Sequence, residues 1–304
     1  MNTTLFADRL DAAIARAGNP CLLGLDPHLE LLPEEFALAR DAAAPRAARA
    51  RELERFCLEL IELAAGRVPA VKPQSAFFEV FGADGALAWE RVVRAARSAG
   101  LLVIGDVKRG DIASTAAAYA SAYLDPLPGL ERESACDAIT LSPWLGRDTL
   151  EPFVAACRST GGGLFVLVRT SNPGSAQFQR AGPPHASDLV ADAVRAVGEE
   201  LLGASGLSSI GAVTGATHAT ELAALRARMP RTPLLLPGYG AQGASARDVV
   251  PAFLPRGRGA LVASSRGVAF AQRSKEHAGK PWKDAARDAL SAMIADLRGA
   301  LTAT

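Results

Sequence analysis

The sequence predicts a closed (β/α)8 barrel, the TIM-barrel form of α/β protein, in which parallel strands alternate with helices. Eight short apolar runs of strand length are separated by stretches with helical spacing. The runs are apolar throughout instead of alternating, which is typical of parallel strands buried on both faces. A length of 304 residues suits one barrel with additions, so we expect a single domain over residues 1–304.

The predicted elements follow one another in a regular order along the chain. Residues 1–18 predict a leading helix in front of the barrel, and residues 28–52 form an insertion after the first strand. Apolar residues recur every three or four positions in 53–64, as in the later helical stretches, and residues 283–302 predict a closing helix. The eight predicted strands are 21–26, 70–74, 101–108, 138–142, 163–171, 209–215, 233–238 and 259–265.

Composition argues against several classes of protein. The 33 Lys and Arg residues and 32 Asp and Glu residues leave a net charge of +1, which attracts neither nucleic acid nor an anionic membrane. No apolar run reaches the roughly 18 residues that cross a bilayer, and acidic residues stand where a signal peptide would be apolar. We therefore expect a cytoplasmic protein without nucleic-acid or membrane partners. Buried reduced thiols, rather than a metal site, are predicted for the widely spaced Cys21, Cys57, Cys136 and Cys157.

Polar residues gather at one place in the predicted barrel. They lie at or just beyond the carboxyl ends of the strands, which converge on one mouth of a (β/α)8 barrel. Loops are polar in any case, so a single such residue would mean little, but nine of them together predict a binding or catalytic site. The nine are Asp26, Lys72, Asp106, Lys108, Ser142, Thr170, Thr214, Gln242 and Arg266.

The third strand carries the most informative charges. Asp106 and Lys108 are two residues apart, so they point to the same side of the strand, and Asp111 follows on the next loop. Lys72 ends the second strand, about 4.8 Å away, so the four charges can form a row of alternating sign. Taken alone, this spacing also fits a solvated turn. The apolar residues 101–104 favour a site, because an unpaired charge beside a dry barrel interior is costly.

The loops after the seventh and eighth strands predict a phosphate site. Glycines in 234–244 let the backbone approach a ligand closely, and Gln242 supplies an amide donor. Arg266 and Gly267 precede a helix, where backbone NH groups and a guanidinium can hold phosphate oxygens. Ordinary glycine turns with a solvated Arg would have the same composition. The arrangement favours a phosphate monoester as ligand.

Several motifs, in this order and spacing, resemble one enzyme family. GDVKRGDI at 105–112 resembles the active-site signature of the orotidine 5′-phosphate decarboxylases, which make UMP in pyrimidine biosynthesis. The similarity extends over nearly the whole chain and is closest to the longer, type 2 branch. The other motifs that carry it are GLDPH, VKPQSAFFE, LVRTSNPGS, VTGAT, LLPGYGAQGA and SSRG.

The resemblance implies a role for each matching residue. Lys108 would be the proton donor, Asp106 the carboxylate set against the substrate carboxylate, and Lys72 the cation that bonds Asp106 and the ribose. Asp111, and Thr115 near it, would reach into the partner's site of a homodimer. The family uses no cofactor and no metal. The implied substrate contacts are Asp26 with the ribose, Ser142 with the pyrimidine edge, Gln242 and Arg266 with the phosphate, and in addition Pro237 and Thr115.

Two alternatives remain open at this point. One is a metal-dependent sugar-phosphate aldolase or decarboxylase on a related barrel, which would need a carboxylate near Lys72 to hold a divalent ion. The other is a phosphosugar-binding barrel without catalytic activity. The two differ from a decarboxylase in their response to a chelator and in whether substrate is consumed.

Overall fold

The barrel fold is confirmed by a computed structural model, which describes residues 4–128, 134–216, 219–240 and 243–302. Eight parallel strands close on themselves in the order β1 to β8, each paired with its neighbours in sequence. All eight strands lie where the sequence predicts them. They are β1 (Cys21–Leu25), β2 (Ala70–Pro73), β3 (Leu102–Arg109), β4 (Ala138–Leu141), β5 (Gly163–Arg169), β6 (Ile210–Thr214), β7 (Leu234–Leu236) and β8 (Ala260–Ser264).

Helices surround the strands, and both predicted terminal helices are present. They are α1 (Phe6–Ala17), α2 (Arg46–Ala64), α3 (Ser75–Glu79), α4 (Gly82–Ser98), α5 (Ala113–Tyr123), α6 (Glu151–Thr160), α7 (Ser175–Gln179), α8 (Ala186–Gly198), α9 (Ala219–Arg228), α10 (Ala246–Val249), α11 (Arg266–Ala269) and α12 (Trp282–Thr302). None of the helices in the described ranges is long and apolar enough to span a membrane.

The insertion after β1 is shorter than its predicted range of 28–52. The helix α2 already begins at Arg46, because its buried apolar face extends back to Ala50. The insertion contains two short 3-10 helices, Leu29–Leu31 and Glu34–Arg40. Phe36 packs its ring edge against Trp282, with 5.7 Å between the ring centroids. This contact fastens the insertion to α12.

Helix α1 closes the amino-terminal end of the barrel. Its residues Phe6 and Leu10 are buried among the side chains that fill the barrel interior. The Phe6 ring meets Phe165 of β5 edge-on, with 5.9 Å between centroids. A Cβ atom on Gly163 would overlap the Phe6 ring, so the glycine makes room for this contact. The opposite, carboxyl-terminal end of the barrel is therefore left for a ligand.

Inside the barrel, the layers of inward-facing side chains change from apolar, next to α1, to polar at the carboxyl-terminal mouth. Leu22, Ala70, Ile104, Ala138 and Phe165 belong to one buried apolar cluster inside the barrel. Side chains two residues further along a strand point the same way. In the next layer these positions are occupied by Gly24, Lys72, Asp106, Thr140 and Leu167, and all five line one cavity.

The four cysteines are buried free thiols, as predicted. Burial raises the pKa of Cys21 and of Cys136 to about 12, so both stay protonated and unreactive at neutral pH. Burial also raises the pKa of the Cys57 and Cys157 thiols. The cysteines are thus part of the packing.

Candidate active site

A cavity of about 350 Å³ lies at the carboxyl ends of the strands. This volume falls within the range of small-molecule sites, and the position is the one where barrel enzymes bind their substrates. Seven of the residues predicted from the sequence line it: Asp26, Lys72, Asp106, Lys108, Thr170, Pro237 and Arg266.

Asp106 is held between two lysines at the bottom of this cavity. Lys72 Nζ lies 2.5 Å from Asp106 Oδ2, and Lys108 Nζ lies 2.5 Å from Asp106 Oδ1. Asp26 Oδ1 is 3.9 Å from Lys72 Nζ on the other side. The side chains of Lys72 and Asp106 are almost entirely buried, with 11% and 8% exposed, whereas that of Lys108 is 46% exposed. Lys108 is therefore the lysine that a bound ligand can reach.

The row fixes the ionisation of its two buried members. Burial alone would raise the pKa of Asp106, but the ammonium groups of Lys72 and Lys108 hold it well below its usual range. Burial alone would lower the pKa of Lys72, but the carboxylates of Asp106 and Asp26 raise it above its usual value. Lys72 and Asp106 thus keep each other ionised. Charged groups in a partly desolvated site need such a partner of opposite charge.

Two neutral side chains, Gln74 and Thr140, complete the shell around Asp106, and sequence reasoning missed both as site residues. Gln74 Nε2 donates a hydrogen bond to Asp106 Oδ2 at 3.0 Å, and Thr140 Oγ1 donates one to Asp106 Oδ1 at 2.8 Å. Both residues line the cavity. The signal that could have found Thr140 is its place two residues after the inward-facing Ala138. With these donors the carboxylate is hydrogen-bonded on both oxygens, which fixes its orientation.

Lys108 occupies an unusual backbone conformation. Its φ angle is +45°, in the left-handed region that side-chain-bearing residues rarely adopt. Pairing between β3 and β4 shifts register between Gly105 and Arg109, around this residue. Strained conformations of this kind cost about 1–3 kcal/mol and concentrate at functional sites. In this conformation the Lys108 ammonium reaches Asp106 Oδ1.

Asp111 and Thr115 lie outside the cavity of their own chain. Asp111 Oδ1 accepts a hydrogen bond from the Ile112 backbone NH at 2.8 Å, and Thr115 is exposed on α5. Neither lines the cavity. The predicted row of four charges is therefore a row of three within one chain, because the loop after β3 carries Asp111 away from Lys108.

Ser142 is not among the residues that line this cavity. Ser142 follows the end of β4 and borders a separate groove, together with Trp144 and Phe178. A different serine, Ser171 after β5, lines the active-site cavity. The two sites adjoin, because Leu167 lines both of them, and the predicted contact of Ser142 with the pyrimidine edge stays a prediction.

The opposite wall offers hydrogen-bonding groups for a polar ligand. Asp26 Oδ1 and Ser265 Oγ are buried without a hydrogen-bond partner among the described residues. Arg266 is exposed at the rim of the cavity, at the first residue of α11. Gln242, the other predicted phosphate contact, lies outside the described residues. Buried polar atoms without partners are costly, which favours a ligand that bonds to them.

Comparison with known proteins identifies the family. The model of the orotidine 5′-phosphate decarboxylase / HUMPS family matches residues 22–280, which include every strand except the first residue of β1. The chain belongs to this family. Its resemblance to the orotidine 5′-phosphate decarboxylases, first seen in the motifs, is thereby confirmed.

Named relatives within the orotidine 5′-phosphate decarboxylase family match this chain over almost its whole length. The orotidine 5′-phosphate decarboxylase of Rhodopirellula baltica is 44% identical over 302 residues, covering 97% of this chain and 99% of that protein. That of Deinococcus radiodurans is 42% identical over 301 residues, covering 98% and 99%. The solved structure of Leishmania donovani OMP decarboxylase aligns with a TM-score of 0.74 at 31% identity, covering 99% of this chain and 100% of that one.

A metal-dependent barrel enzyme, one of the alternatives that the sequence left open, would need metal ligands near Lys72. Within the described ranges, no group of three or more His, Cys, Asp and Glu side chains is arranged to hold a metal ion. The carboxylates nearest Lys72 are Asp26 and Asp106, and Asp106 is occupied by hydrogen bonds from lysine, amide and hydroxyl donors. These donors leave Asp106 little capacity to bind a cation.

Proposed function

We propose that this protein converts orotidine 5′-phosphate to UMP and CO2, the reaction for which its relatives are named. The observation that carries the proposal is the Lys72–Asp106–Lys108 row at the mouth of the barrel, with Lys72 and Asp106 buried and Lys108 accessible. A fixed anion beside a reachable ammonium suits a reaction that removes a carboxylate and then protonates a carbanion. The family membership of the chain supplies the substrate.

The row can act on the reacting carbon at both stages of the reaction. When the bond between C6 and the carboxylate breaks, CO2 leaves and the electron pair remains on C6. The Lys108 ammonium stabilises this developing charge, gives C6 a proton, and regains one from solvent. Asp106 opposes the substrate carboxylate before reaction, and that repulsion ends as CO2 departs. Lys72 keeps Asp106 ionised throughout.

The remaining cavity residues suit the rest of the nucleotide. Asp26 is adjacent to Lys72, and its buried Oδ1 can accept a hydrogen bond from a ribose hydroxyl. Arg266 and the hydroxyl of Ser265 stand together at the rim, where a phosphate would bind. Binding energy from the phosphate, which is remote from C6, can then help to orient the ring. We include no cofactor and no metal in the proposal.

An absorbance assay with orotidine 5′-phosphate in the presence of a chelator tests the proposal directly. We expect the orotate absorbance to fall at the same rate with and without chelator, and UMP to accumulate in equal amount. Loss of activity on chelation would instead favour a metal-dependent barrel enzyme. Binding of UMP without any change in absorbance would favour a phosphosugar-binding protein.

Replacing Arg266 tests the phosphate position. We expect Arg266→Ala to raise KM for orotidine 5′-phosphate about 10- to 100-fold, as the loss of a charged hydrogen bond does, and to lower kcat less. Steady-state kinetics provide the measurement. Arg273→Ala is the matched control, because Arg273 is exposed nearby but does not line the cavity. An unchanged KM in Arg266→Ala would mean that the phosphate binds elsewhere.

We also propose a homodimer in which Asp111 of one chain completes the partner's site. The proposal is supported by the exposed position of the Asp111 loop and by the adjoining Ile112, a large apolar residue that is 58% exposed. In the same proposal the dimer is a cytoplasmic enzyme, which the four free thiols favour.

Mixing two inactive variants tests the shared site. Asp111→Ala and Lys108→Ala should each be inactive alone. After mixing and subunit exchange, one site of each mixed dimer is intact, so about a quarter of all sites should regain activity. Turnover measured against the wild-type protein gives the result. A mixture that stays inactive while light scattering shows exchanged dimers would contradict the placement of Asp111.

A further inference from the structure

Thr140 stands opposite the most distorted part of the active-site strand. Between the pairs Gly105 with Ile139 and Arg109 with Leu141, β3 contains three residues and β4 contains only Thr140. The three residues are Asp106, Val107 and Lys108. Thr140 is 1% exposed, so its hydroxyl cannot rely on solvent for hydrogen bonds. Its partners must come from the bulged segment itself.

The Thr140 hydroxyl joins the two catalytic residues of that segment. It accepts a hydrogen bond from the Lys108 backbone NH at 3.0 Å and donates one to Asp106 Oδ1 at 2.8 Å. A hydroxyl can do both at once, because it has one proton and two lone pairs. The Lys108 ammonium bonds to the same Oδ1 atom. The Thr140 hydroxyl thus links the Lys108 backbone to the Asp106 carboxylate, which in turn binds the Lys108 ammonium.

These two bonds act on properties that the reaction depends on. The first supports Lys108 in its left-handed conformation, where φ is +45° and the backbone NH cannot follow the regular β pairing. The second keeps a donor on Asp106 Oδ1 when Lys108 turns its proton towards C6. Without Thr140, Asp106 Oδ1 would lack a fixed donor at the moment when its other donor, the Lys108 ammonium, moves.

We propose that Thr140 is a positioning residue that sets the Lys108 backbone and the Asp106 carboxylate for proton transfer. The inference rests on the proposed decarboxylase function and deepens it, since Thr140 acts through the two catalytic residues. Its role differs from that of Lys72, which supplies charge. Thr140 positions the two residues with a neutral hydroxyl group, which can be removed without changing the charge of the site.

The decisive variant is Thr140→Val, which keeps the shape of the side chain and removes the hydroxyl. We expect kcat to fall about 10- to 100-fold, the effect of losing a hydrogen bond to a charged group, with KM and UMP affinity changed less than threefold. Thr140→Ser retains the hydroxyl and should recover most of the lost turnover. Kinetics, UMP titration and thermal unfolding are measured on all variants.

Thr160→Val is the matched control for loss of a buried threonine hydroxyl. Thr160 Oγ1 also donates one bond, to Ala156 O at 2.7 Å, and accepts one, from the Gly162 NH at 3.1 Å, but it lies in α6 away from the cavity. We expect Thr160→Val to lower the unfolding temperature while leaving kcat unchanged.

The outcomes separate this inference from the function on which it rests. A wild-type protein that does not decarboxylate orotidine 5′-phosphate would overturn the proposed function. An active wild type with an equally active Thr140→Val would overturn the positioning role alone. The same holds if Thr140→Ser is as slow as Thr140→Val, since the methyl group and not the hydroxyl would then matter. If Thr140→Val does not fold, a slow Thr140→Ser overturns the role and a nearly wild-type one supports it.

Discussion

Lys108→Ala is expected to abolish decarboxylation while leaving nucleotide binding nearly intact. The variant loses the proton donor, which contributes about 10²–10⁴ to the rate, and the ammonium charge near C6, which adds a further factor of about 10²–10³. We therefore expect kcat to fall at least about 10⁴-fold. The affinity for UMP should stay within about tenfold of the wild type, roughly 1.4 kcal/mol, because phosphate and ribose contacts remain. Single-turnover kinetics and UMP titration are the measurements.

The control for Lys108→Ala is Lys275→Ala, which removes an exposed lysine that does not line the cavity. It should behave like the wild type in both assays. Normal turnover by Lys108→Ala would remove the proposed proton donor. A loss of UMP binding as large as the loss of rate would make Lys108 a binding residue instead.

The barrel and most of the charge row were predictable because they depend on short-range patterns. A parallel strand buried on both faces needs a continuous apolar run, and the helices between strands need a period near 3.6, so each element leaves a local trace. Asp106 and Lys108 were predicted to point the same way from the two-residue repeat of a strand. Lys72 followed from the adjacency of consecutive strands in a barrel.

Sequence reasoning reached less far where the chain departs from these regular patterns. Ser142 was predicted as a polar residue just after β4, whereas Thr140, the polar residue of β4 that lines the cavity, was missed. A hydroxyl inside an apolar strand is easily taken for part of the core. Asp111 does not line the cavity of its own chain, and its predicted place in a partner's site stays a prediction, because one chain cannot test it.

The left-handed backbone of Lys108 was also beyond sequence reasoning. Residues with φ near +45° are usually glycine, asparagine or aspartate, so a lysine gives no warning of the bulge. The conformation is maintained by long-range contacts, including the bond from the Lys108 NH to Thr140. Local propensity disagrees with the observed backbone here, and such disagreement is expected at functional sites.

Asp106→Asn should cause the second-largest loss of activity. The variant keeps the shape of the side chain but removes the charge that opposes the substrate carboxylate and that holds the ammonium groups of Lys72 and Lys108. We expect kcat to fall at least about 10³-fold, as electrostatic and general-acid contributions are lost together. KM should not rise, because removing the repulsion between two carboxylates favours substrate binding. A raised KM with normal kcat would contradict the role of Asp106.

Asp106→Asn should also differ from the wild type in how its unfolding free energy depends on pH. The pKa of Asp106 is lowered in the folded protein, so its ionised form stabilises the fold at pH values above the unfolded pKa, about 3.9. That stabilisation is lost as the pH falls from about 5 through the lower, folded pKa. Asp106→Asn cannot lose it, so the difference in unfolding free energy between the wild type and Asp106→Asn should shrink between pH 7 and pH 3.

Denaturant unfolding at pH 7, 5, 4 and 3 measures this difference. The comparison needs Asp148→Asn, which removes an exposed carboxylate outside the cavity and should follow the wild type at every pH. If the gap between the wild type and Asp106→Asn stays constant from pH 7 to pH 3, Asp106 does not owe its ionisation to Lys72 and Lys108. The row would then be a geometric arrangement without the electrostatic coupling that the proposed chemistry requires, because only a carboxylate that stays charged in the dry site can oppose the carboxylate of the substrate.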